Sequence, residues 1–221
     1  WLLRSPRRVA GLMTATKRKV AAFSSEYGEL KAAYVYTTSI DNKQRYCAVN
    51  RCELVVGGDR KETSNRSARW TKVAWLREIL PSYDWVVWTD VDCFFTRTDD
   101  VVEVFDASYD VHFTLDAGSE ARVNTGFFAL RNTKWSHDFL EQVWADNDGG
   151  EGLSDQRSFN NILNGLSKDE HQRHVKLYAK SILNAFPSGT NYVATEDYEP
   201  PTPDGDETEE TRIIHYAGQF G

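Results

Sequence analysis

Two aspartates separated by a single residue are the part of the sequence best suited to chemistry. Asp90 and Asp92 follow the apolar segment Trp85–Trp88, whose lack of polar–apolar alternation predicts a central parallel strand buried on both faces. Open α/β sheets bind their ligands at the carboxyl ends of such strands. Two hard oxygen donors at that edge suit Mn²⁺ or Mg²⁺ carrying a diphosphate. We expect Trp85 and Trp88 themselves to lie in the core.

Three interpretations of this pair compete. A surface turn with two solvated acids is the commonest setting for such a pair, but the buried strand directly before it argues against that setting. A phosphatase-type nucleophile loop also places two aspartates after a buried strand. It normally opens its domain and carries Thr or Val where this chain has Cys93, whereas here a long segment comes first. Metal–diphosphate binding is the third interpretation, and the rest of the sequence favours it.

The composition predicts one compact domain, residues 1–221, with a substantial core. The chain has 221 residues, 40% of them hydrophobic, and seven are tryptophans, so it is large enough to bury about 70% of its unfolded surface. A formal net charge of −7 argues against a nucleic-acid partner. An acidic protein that binds a phosphorylated ligand needs a cation or a local basic cluster, and this balance favours a metal ion.

The sequence gives no sign of a membrane-spanning or signal segment of its own. No apolar run approaches the ~20 residues needed to cross a bilayer, and Trp1-Leu2-Leu3 is too short for a signal sequence. Because the chain begins at Trp1 rather than Met, we expect a fragment of a longer protein. Any membrane attachment would then run through an anchor absent from this chain.

The three cysteines form no metal-binding pattern and are too few for a disulfide scaffold. We expect Cys47, Cys52 and Cys93 to be reduced core residues. One bridge plus a free thiol is the alternative. The cysteines therefore do not indicate a compartment.

The order of predicted elements indicates a doubly wound α/β sheet. Apolar patterning and breaking residues predict strands at 19–25, 53–57, 85–88, 110–115, 125–130, 175–179 and 212–216, and helices at 29–50, 68–80, 135–146 and 155–164. Pro81 is expected to end the second helix, and Ser154 to cap the fourth. Residues 1–18 form a poorly patterned lead, and residues 196–211 are predicted to be an exposed acidic, proline-rich loop.

Six segments in a shared order resemble family 34 of the retaining glycosyltransferases, the Golgi galactosyl-, mannosyl- and xylosyltransferases of fungi and plants. The segments are Ser39–Lys43 with Tyr46-Cys47, Trp70-Thr71-Lys72 with Leu76, Asp84–Asp92, Asn124–Asn132, Ser154–Gln156 and Ile214–Gly218. An isolated Asp-x-Asp is weak evidence. The Asn-Thr-Gly strand that follows it is more specific, and all six segments in order are difficult to assign to chance.

The resemblance implies a GT-A fold and a retaining transfer of a sugar from a nucleotide donor to a glycan, giving an α-linkage. Asp90 and Asp92 match the metal-binding pair, and His215 matches the histidine that completes the metal shell. Asp155 and Gln156 match the pair that faces the sugar's reacting carbon. The competing interpretations are a structural role for His215 and, for Asp155, a favourable position at a helix N-terminus.

The resemblance also implies positions that contact the donor. Ser24 and Ser25 end the first strand, where the nucleoside is bound, and Val91, Asn124, Gly126 and Gly218 fall around the diphosphate and sugar. Lys72 is either a donor contact or a solvated helix lysine. Asn124 has the alternative of shaping a turn, and Gly126 that of allowing close packing.

The preference for Mn²⁺, the donor and the compartment follow from the resemblance alone. It implies Mn²⁺, with Mg²⁺ as the alternative, a UDP-sugar or GDP-mannose as donor, and the Golgi lumen. Two features depart from the family: Gln219 and Phe220 replace a common Cys and Lys, and only ten residues separate Trp144 from Asp155. The missing Lys keeps open a non-catalytic module that binds nucleotide-sugars or carbohydrates.

Overall fold

The structure is a computed structural model that describes residues 18–23, 29–57, 66, 70–116, 122–146, 155–187 and 207–216, with the main chain alone for 18–23 and 29–36. The strands are β1 (Arg18–Phe23), β2 (Glu53–Gly57), β3 (Trp85–Asp90), β4 (Cys93–Phe95), β5 (Val111–Leu115), β6 (Val123–Arg131), β7 (Val175–Tyr178) and β8 (Ile213–His215). The helices are α1 (Glu29–Asn50), α2 (Thr71–Ile79), α3 (Lys134–Ala145), α4 (Asp155–Gly165), α5 (Lys168–His174) and α6 (Lys180–Leu183).

Six of these strands form one mixed sheet in the order β2-β1-β3-β6-β5-β7. Five of them run parallel, and β6 alone is antiparallel to its neighbours β3 and β5. Because Thr89 pairs with Phe127, the start of β6 lies beside the carboxyl end of β3. The reversed strand therefore brings the Asn-Thr-Gly segment to the sheet edge that carries Asp90.

The predicted burial of β3 on both faces is confirmed. Val86 and Trp88 belong to a core cluster that packs against α2, α3 and α4. Trp85 and Val87 belong to a second cluster on the opposite side, which includes Tyr46 of α1. Successive side chains of a strand point to opposite faces, so β3 anchors both layers and holds its carboxyl end rigidly.

A separate two-stranded sheet pairs β4 with β8 in antiparallel register, with Cys93 opposite His215. The backbone amide of Tyr216 donates to the carbonyl of Asp92 at 2.9 Å, which extends this pairing. Helix α1 supports β4 from behind: Asn42 makes two hydrogen bonds with the main chain of Phe95, at 2.9 and 2.8 Å. The small sheet thus fixes β8 against the turn that follows β3.

Every predicted strand and helix is present, with ends that coincide or differ by up to three residues. Helix α2 begins at Thr71, and Pro81 lies inside a 3₁₀ turn, Leu80–Ser82, that follows it. No pattern in the sequence predicts β4, α5 or α6 as separate elements. Helix α5 has no buried residue and therefore no apolar periodicity; a capping box between Ser167 and Glu170 starts it instead. No helix in the described ranges combines the length and apolar character of a membrane span.

Candidate active site

The turn after β3 places the aspartate pair at the carboxyl edge of the sheet. Asp90 is the last residue of β3, and the Trp88 Nε1 group donates to its Oδ1 at 2.6 Å. Burial and the neighbouring Asp92 raise the pKa of Asp90, although Lys72 opposes them. Burial also acts to raise the pKa of Asp92, but His215 outweighs it and lowers that pKa. Val91 is buried between them.

His215 reaches this turn from the far end of the chain, and its ring is held on several sides. Its Nε2 lies 3.4 Å from Asp92 Oδ1, and its Nδ1 donates to Asn184 Oδ1 at 3.0 Å. Phe186 stacks against the ring with centroids 5.6 Å apart. Gly126 packs directly against the ring, so closely that a Cβ in its place would lie only 2.3 Å from the ring carbon Cε1. These contacts fix the ring and direct Nε2 towards Asp92.

The carboxylate and imidazole fit a hard divalent cation. Each ligand atom of such an ion lies about 2.1 Å from it, so two of them can be at most about 4.2 Å apart. The Asp92 and His215 atoms meet this limit at 3.4 Å. Burial acts to lower the pKa of His215, but Cys93 and Asp92 outweigh it and raise that pKa well above its usual value. Since Nδ1 keeps the proton donated to Asn184, it is Nε2 that would have to lose its proton to become an electron-pair donor to an ion.

Cys93 is adjacent to these two side chains but is a poorer match to a hard ion. Its Sγ lies within 4.8 Å of the Asp92 and His215 ligand atoms and donates to the Gly126 carbonyl at 3.4 Å. Burial raises the pKa of the Cys93 thiol. Soft thiolates select softer metals than Mg²⁺ or Mn²⁺, so Asp92 and His215 are the pair that fits.

Lys72 of α2 connects the aspartate turn to α4. Its Nζ lies 3.2 Å from Asp90 Oδ1 and 3.0 Å from Asp155 Oδ2, and donates to the Thr125 carbonyl at 2.8 Å. The side chain is 7% exposed. Burial alone would lower the pKa of Lys72, but Asp155 and Asp90 raise it above its usual range. One buried ammonium therefore holds two carboxylates from distant segments.

Asp155 and Gln156 are the first two residues of α4, and both hydrogen-bond to Thr125 of β6 at the sheet edge that carries Asp90. The Thr125 hydroxyl donates to Asp155 Oδ2 at 3.1 Å, and the Thr125 amide donates to Gln156 Oε1 at 3.1 Å. Asp116, directly after β5, accepts from Gln156 Nε2 and from Asn124 Nδ2, both at 2.9 Å. The network fixes the orientation of the Gln156 amide and of Asn124.

The structure brings together every described residue that the sequence singled out. The set comprises Lys72, Asp90, Val91, Asp92, Asn124, Gly126, Asp155, Gln156 and His215. Lys72 is buried and ion-paired, so the alternative of a solvated helix lysine is wrong. Ser24, Ser25 and Gly218 lie outside the described residues.

Four residues of the site were missed: Lys43, Asp116, Thr125 and Asn184. Asp116 and Asn184 each follow an element end, and polar residues at the ends of strands are a signal that could have identified Asp116. Lys43 donates to the carbonyl of Cys93 at 2.7 Å from beneath the turn. Burial lowers its pKa to about 8. Asn184 carries no local signal, because its role depends on contact with His215.

Residues 35–202 match the nucleotide-diphospho-sugar transferase family. Xyloglucan 6-xylosyltransferase 4 of Arabidopsis thaliana is 31% identical over 124 residues, 51% of this chain and 23% of that protein. Probable glycosyltransferase 6 of Oryza sativa subsp. indica is 26% identical over 161 residues, 66% of this chain and 32% of that protein. The chain thus spans about a quarter to a third of the length of these relatives.

Solved structures share the fold at low identity. A glycosyltransferase involved in the glycosylation of the major capsid of PBCV-1 superposes with a TM-score of 0.65 at 12% identity, covering 91% of this chain and 93% of that one. The galactosyltransferase LgtC, in complex with donor and acceptor sugar analogues, gives a TM-score of 0.50 at 16% identity, covering 90% and 87%. The expected GT-A fold and the resemblance to family 34 are confirmed, and the chain belongs to the nucleotide-diphospho-sugar transferase family.

Proposed function

We propose that this chain is the catalytic domain of a metal-dependent retaining glycosyltransferase. It transfers a hexose or pentose from a nucleotide-sugar to a glycan acceptor and forms an α-linkage. The observation that carries the proposal is the Lys72 ion-pair network, which joins Asp90 of the aspartate turn to Asp155 of α4. In a nucleotide-sugar the anomeric carbon is bonded directly to a diphosphate oxygen, so groups that act on each must lie a few ångströms apart.

The charge of the site supports a divalent cation as part of donor binding. The site holds more carboxylates than lysines, and Lys72 is already paired with two of the carboxylates. The carboxylates are Asp90, Asp92, Asp116 and Asp155, and the lysines are Lys43 and Lys72. A diphosphate would be repelled by this excess of negative charge unless a cation bridged it. Asp92 and His215 would hold the ion, Mn²⁺ by the family resemblance or Mg²⁺, with Asp90 beside it. When bound, such an ion neutralises charge on the diphosphate leaving group as a Lewis acid.

The α4 residues are suited to act on the sugar. As the anomeric carbon loses its leaving group it becomes electron-deficient, and a fixed negative group nearby stabilises it. Asp155 supplies that group, because Lys72 and Thr125 hold its Oδ2 and keep it from turning away. Gln156 is oriented by Asp116 and the Thr125 amide, which leaves its amide group fixed beside Asp155.

The proposal extends to the donor, the acceptor and the compartment. Relatives named xyloglucan 6-xylosyltransferase support a pentose donor and a polysaccharide acceptor. We therefore favour a UDP-sugar, with GDP-mannose as the alternative, and a glycan acceptor in the Golgi lumen. The nucleoside would contact Ser24 and Ser25, and the diphosphate would approach Val91, Asn124, Gly126 and Gly218.

Thermal unfolding in a panel of UDP-, GDP- and other nucleotide-sugars, with and without Mn²⁺, tests the donor class. A ligand that binds only the folded state raises the melting temperature. We expect a rise with one donor class that requires Mn²⁺. Release of free nucleotide from that donor, measured with and without glycan acceptors, then tests turnover.

Asp155→Asn separates chemistry from binding. The variant should still bind the donor with Mn²⁺ but lose at least about a hundredfold in nucleotide release, since electrostatic stabilisation of this kind is worth that much. Asp138→Asn, an exposed carboxylate paired with Lys134, should retain parental turnover. Donor binding without nucleotide release by the parent protein would instead identify a non-catalytic binding module.

A further inference from the structure

The end of helix α1 contains a tight six-residue turn with a cysteine at each end. The amide of Cys52 donates to the carbonyl of Cys47 at 3.2 Å, spanning the five-residue separation. Arg51, between them, adopts the left-handed conformation with φ of 55°. These features are those of a Schellman motif, which a contact between the side chains of the first and sixth residues frequently accompanies.

The two thiols meet in this motif and are shielded from water. Cys47 is 2% exposed and Cys52 4% exposed, and both pack in the cluster beneath β3. The neighbouring Cys52 thiol, together with burial, raises the pKa of the Cys47 thiol. Both thiols are reduced in the structure. Two cysteines whose backbones are joined by a hydrogen bond, and whose side chains pack in one buried cluster, meet the first condition for a disulfide, which is a close approach of the two residues.

We propose that Cys47 and Cys52 are a disulfide-forming pair that locks the end of α1 to the start of β2. The oxidant is a low-molecular-weight disulfide, such as oxidised glutathione. One cysteine thiolate attacks the donor to give a mixed disulfide and one released thiol. The second cysteine then displaces the other donor thiol, so one S–S bond forms, two electrons pass to the donor, and the two cysteine protons end on its thiols.

Cys93 is separate from this pair. It lies in β4, after the aspartate turn, and is paired with His215 of β8 in the small sheet. Its thiol donates to the Gly126 carbonyl at 3.4 Å. The Schellman hydrogen bond joins Cys47 to Cys52 alone. The geometry therefore predicts a single bridge and one remaining thiol.

The cross-link would stabilise a part of the molecule that supports the site. In the last three turns of α1, Lys43 donates to the Cys93 carbonyl at 2.7 Å and Tyr46 stacks on Phe95 with centroids 3.7 Å apart. The Tyr46 hydroxyl also accepts from the Val101 amide at 2.6 Å. A disulfide at the end of α1 would therefore stabilise the helix that packs against β4. We therefore expect a change in stability on oxidation, independent of glycosyl transfer.

Thiol counting on the whole chain tests the proposal. The protein is refolded from denaturant in a buffer that contains oxidised glutathione, and the excess oxidant is removed under acid. Because all three cysteines are buried, the protein is then denatured before free thiols are alkylated and the mass is measured. We expect two of the three thiols to resist alkylation and peptide mapping to join Cys47 to Cys52. Cys93→Ser should give the same bridge. Cys52→Ala should abolish it, and Cys47→Ala should do so independently in case one variant folds poorly.

The melting temperature provides a second readout. A bridge closing so short a loop should raise it by about 5 °C relative to the reduced protein, and a dithiol reductant should reverse the rise in the parent and in Cys93→Ser. Cys52→Ala should show no such response. Alkylation of all three thiols after refolding with the oxidant, or a bridge that includes Cys93, would overturn the proposal.

Discussion

At the scale of single residues, the site depends on a buried ammonium placed among carboxylates. Lys72 lies about 3 Å from both Asp90 and Asp155, and its own exposure is small. Removing one member of a buried ion pair is far costlier than replacing the whole pair, because the remaining charge is left without compensation. Lys72 is therefore both a structural residue and the group that fixes the two carboxylates for which we propose a function.

Lys72→Met should lower the free energy of unfolding by about 3 kcal/mol, since it leaves two carboxylates facing one another. Chemical denaturation measures this loss. Adding Asp155→Asn to Lys72→Met should restore part of it, because one of the opposed charges is then absent. Lys134→Met, at an exposed lysine paired with Asp138, should change stability by less than about 0.5 kcal/mol. Equal losses for the two lysine variants would contradict the role of Lys72.

Gly126 is required for a different reason, which is the space its missing side chain leaves for His215. A Cβ there would also lie 2.9 Å from His215 Nδ1 and from Asn124 Oδ1. Gly126→Ala should therefore displace the imidazole ring and weaken Mn²⁺ binding at least about tenfold. Titration of Mn²⁺ by its paramagnetic resonance signal measures this directly.

Gly165→Ala is the matched control for this substitution. Gly165 ends α4, and a Cβ there would meet no atom within 4 Å. Its replacement by alanine should leave Mn²⁺ affinity unchanged and raise stability slightly, because glycine is the poorer helix residue. An unchanged Mn²⁺ affinity in Gly126→Ala would show that the ring position does not matter for the ion.

At the scale of elements, β5 carries an unusual histidine into the core beneath the sheet. His112 is buried, with ring centroids 5.1 Å from Trp85 and 4.9 Å from Phe105, and its Nδ1 lies 3.1 Å from the Tyr178 hydroxyl. Among the described residues, no partner is found for its Nε2. Burial lowers the pKa of His112 to about 4.

This histidine should make the fold sensitive to mild acid. Its pKa is about 6.5 in the unfolded chain and about 4 in the folded one, so the unfolded state takes up the proton first as pH falls. The free energy of unfolding should fall between pH 6.5 and pH 4 by up to about 3 kcal/mol from this group. His112→Phe should show a shallower decline over that range. Identical slopes for parent and variant, measured by denaturation at several pH values, would contradict this account.

Elements with a strong local pattern were predictable from the sequence, and those without one were not. The apolar run of β3 and the apolar residues at helical spacing in α3 both reflect burial, so the positions of these elements could be deduced. Helix α5 packs no residue in the core, and β4 has only three residues. Their existence depends on a cap and on pairing with β8, respectively, and neither leaves a periodic signal.

At the scale of the whole molecule, the fold assembles the site from segments that are distant in sequence. The carboxylate turn follows β3, His215 comes from β8, and Lys72 and Asp155 come from separate helices. The sequence patterns predicted each piece, and the family resemblance predicted their association. Asp116 and Asn184 could not be predicted in this way, because their importance arises only from the partners that the topology brings to them.

The whole molecule carries a net charge of −7, and a nucleotide diphosphate is also negatively charged. Our central claim is therefore that nucleotide binding depends on a cation. Isothermal titration of UDP into the protein with Mn²⁺ and with EDTA tests it most directly. We expect affinity at least about tenfold weaker in EDTA, roughly 1.4 kcal/mol. In Asp92→Asn that difference should largely disappear, while Asp138→Asn should keep it. Equal UDP affinity of the parent protein in the two buffers would contradict the account.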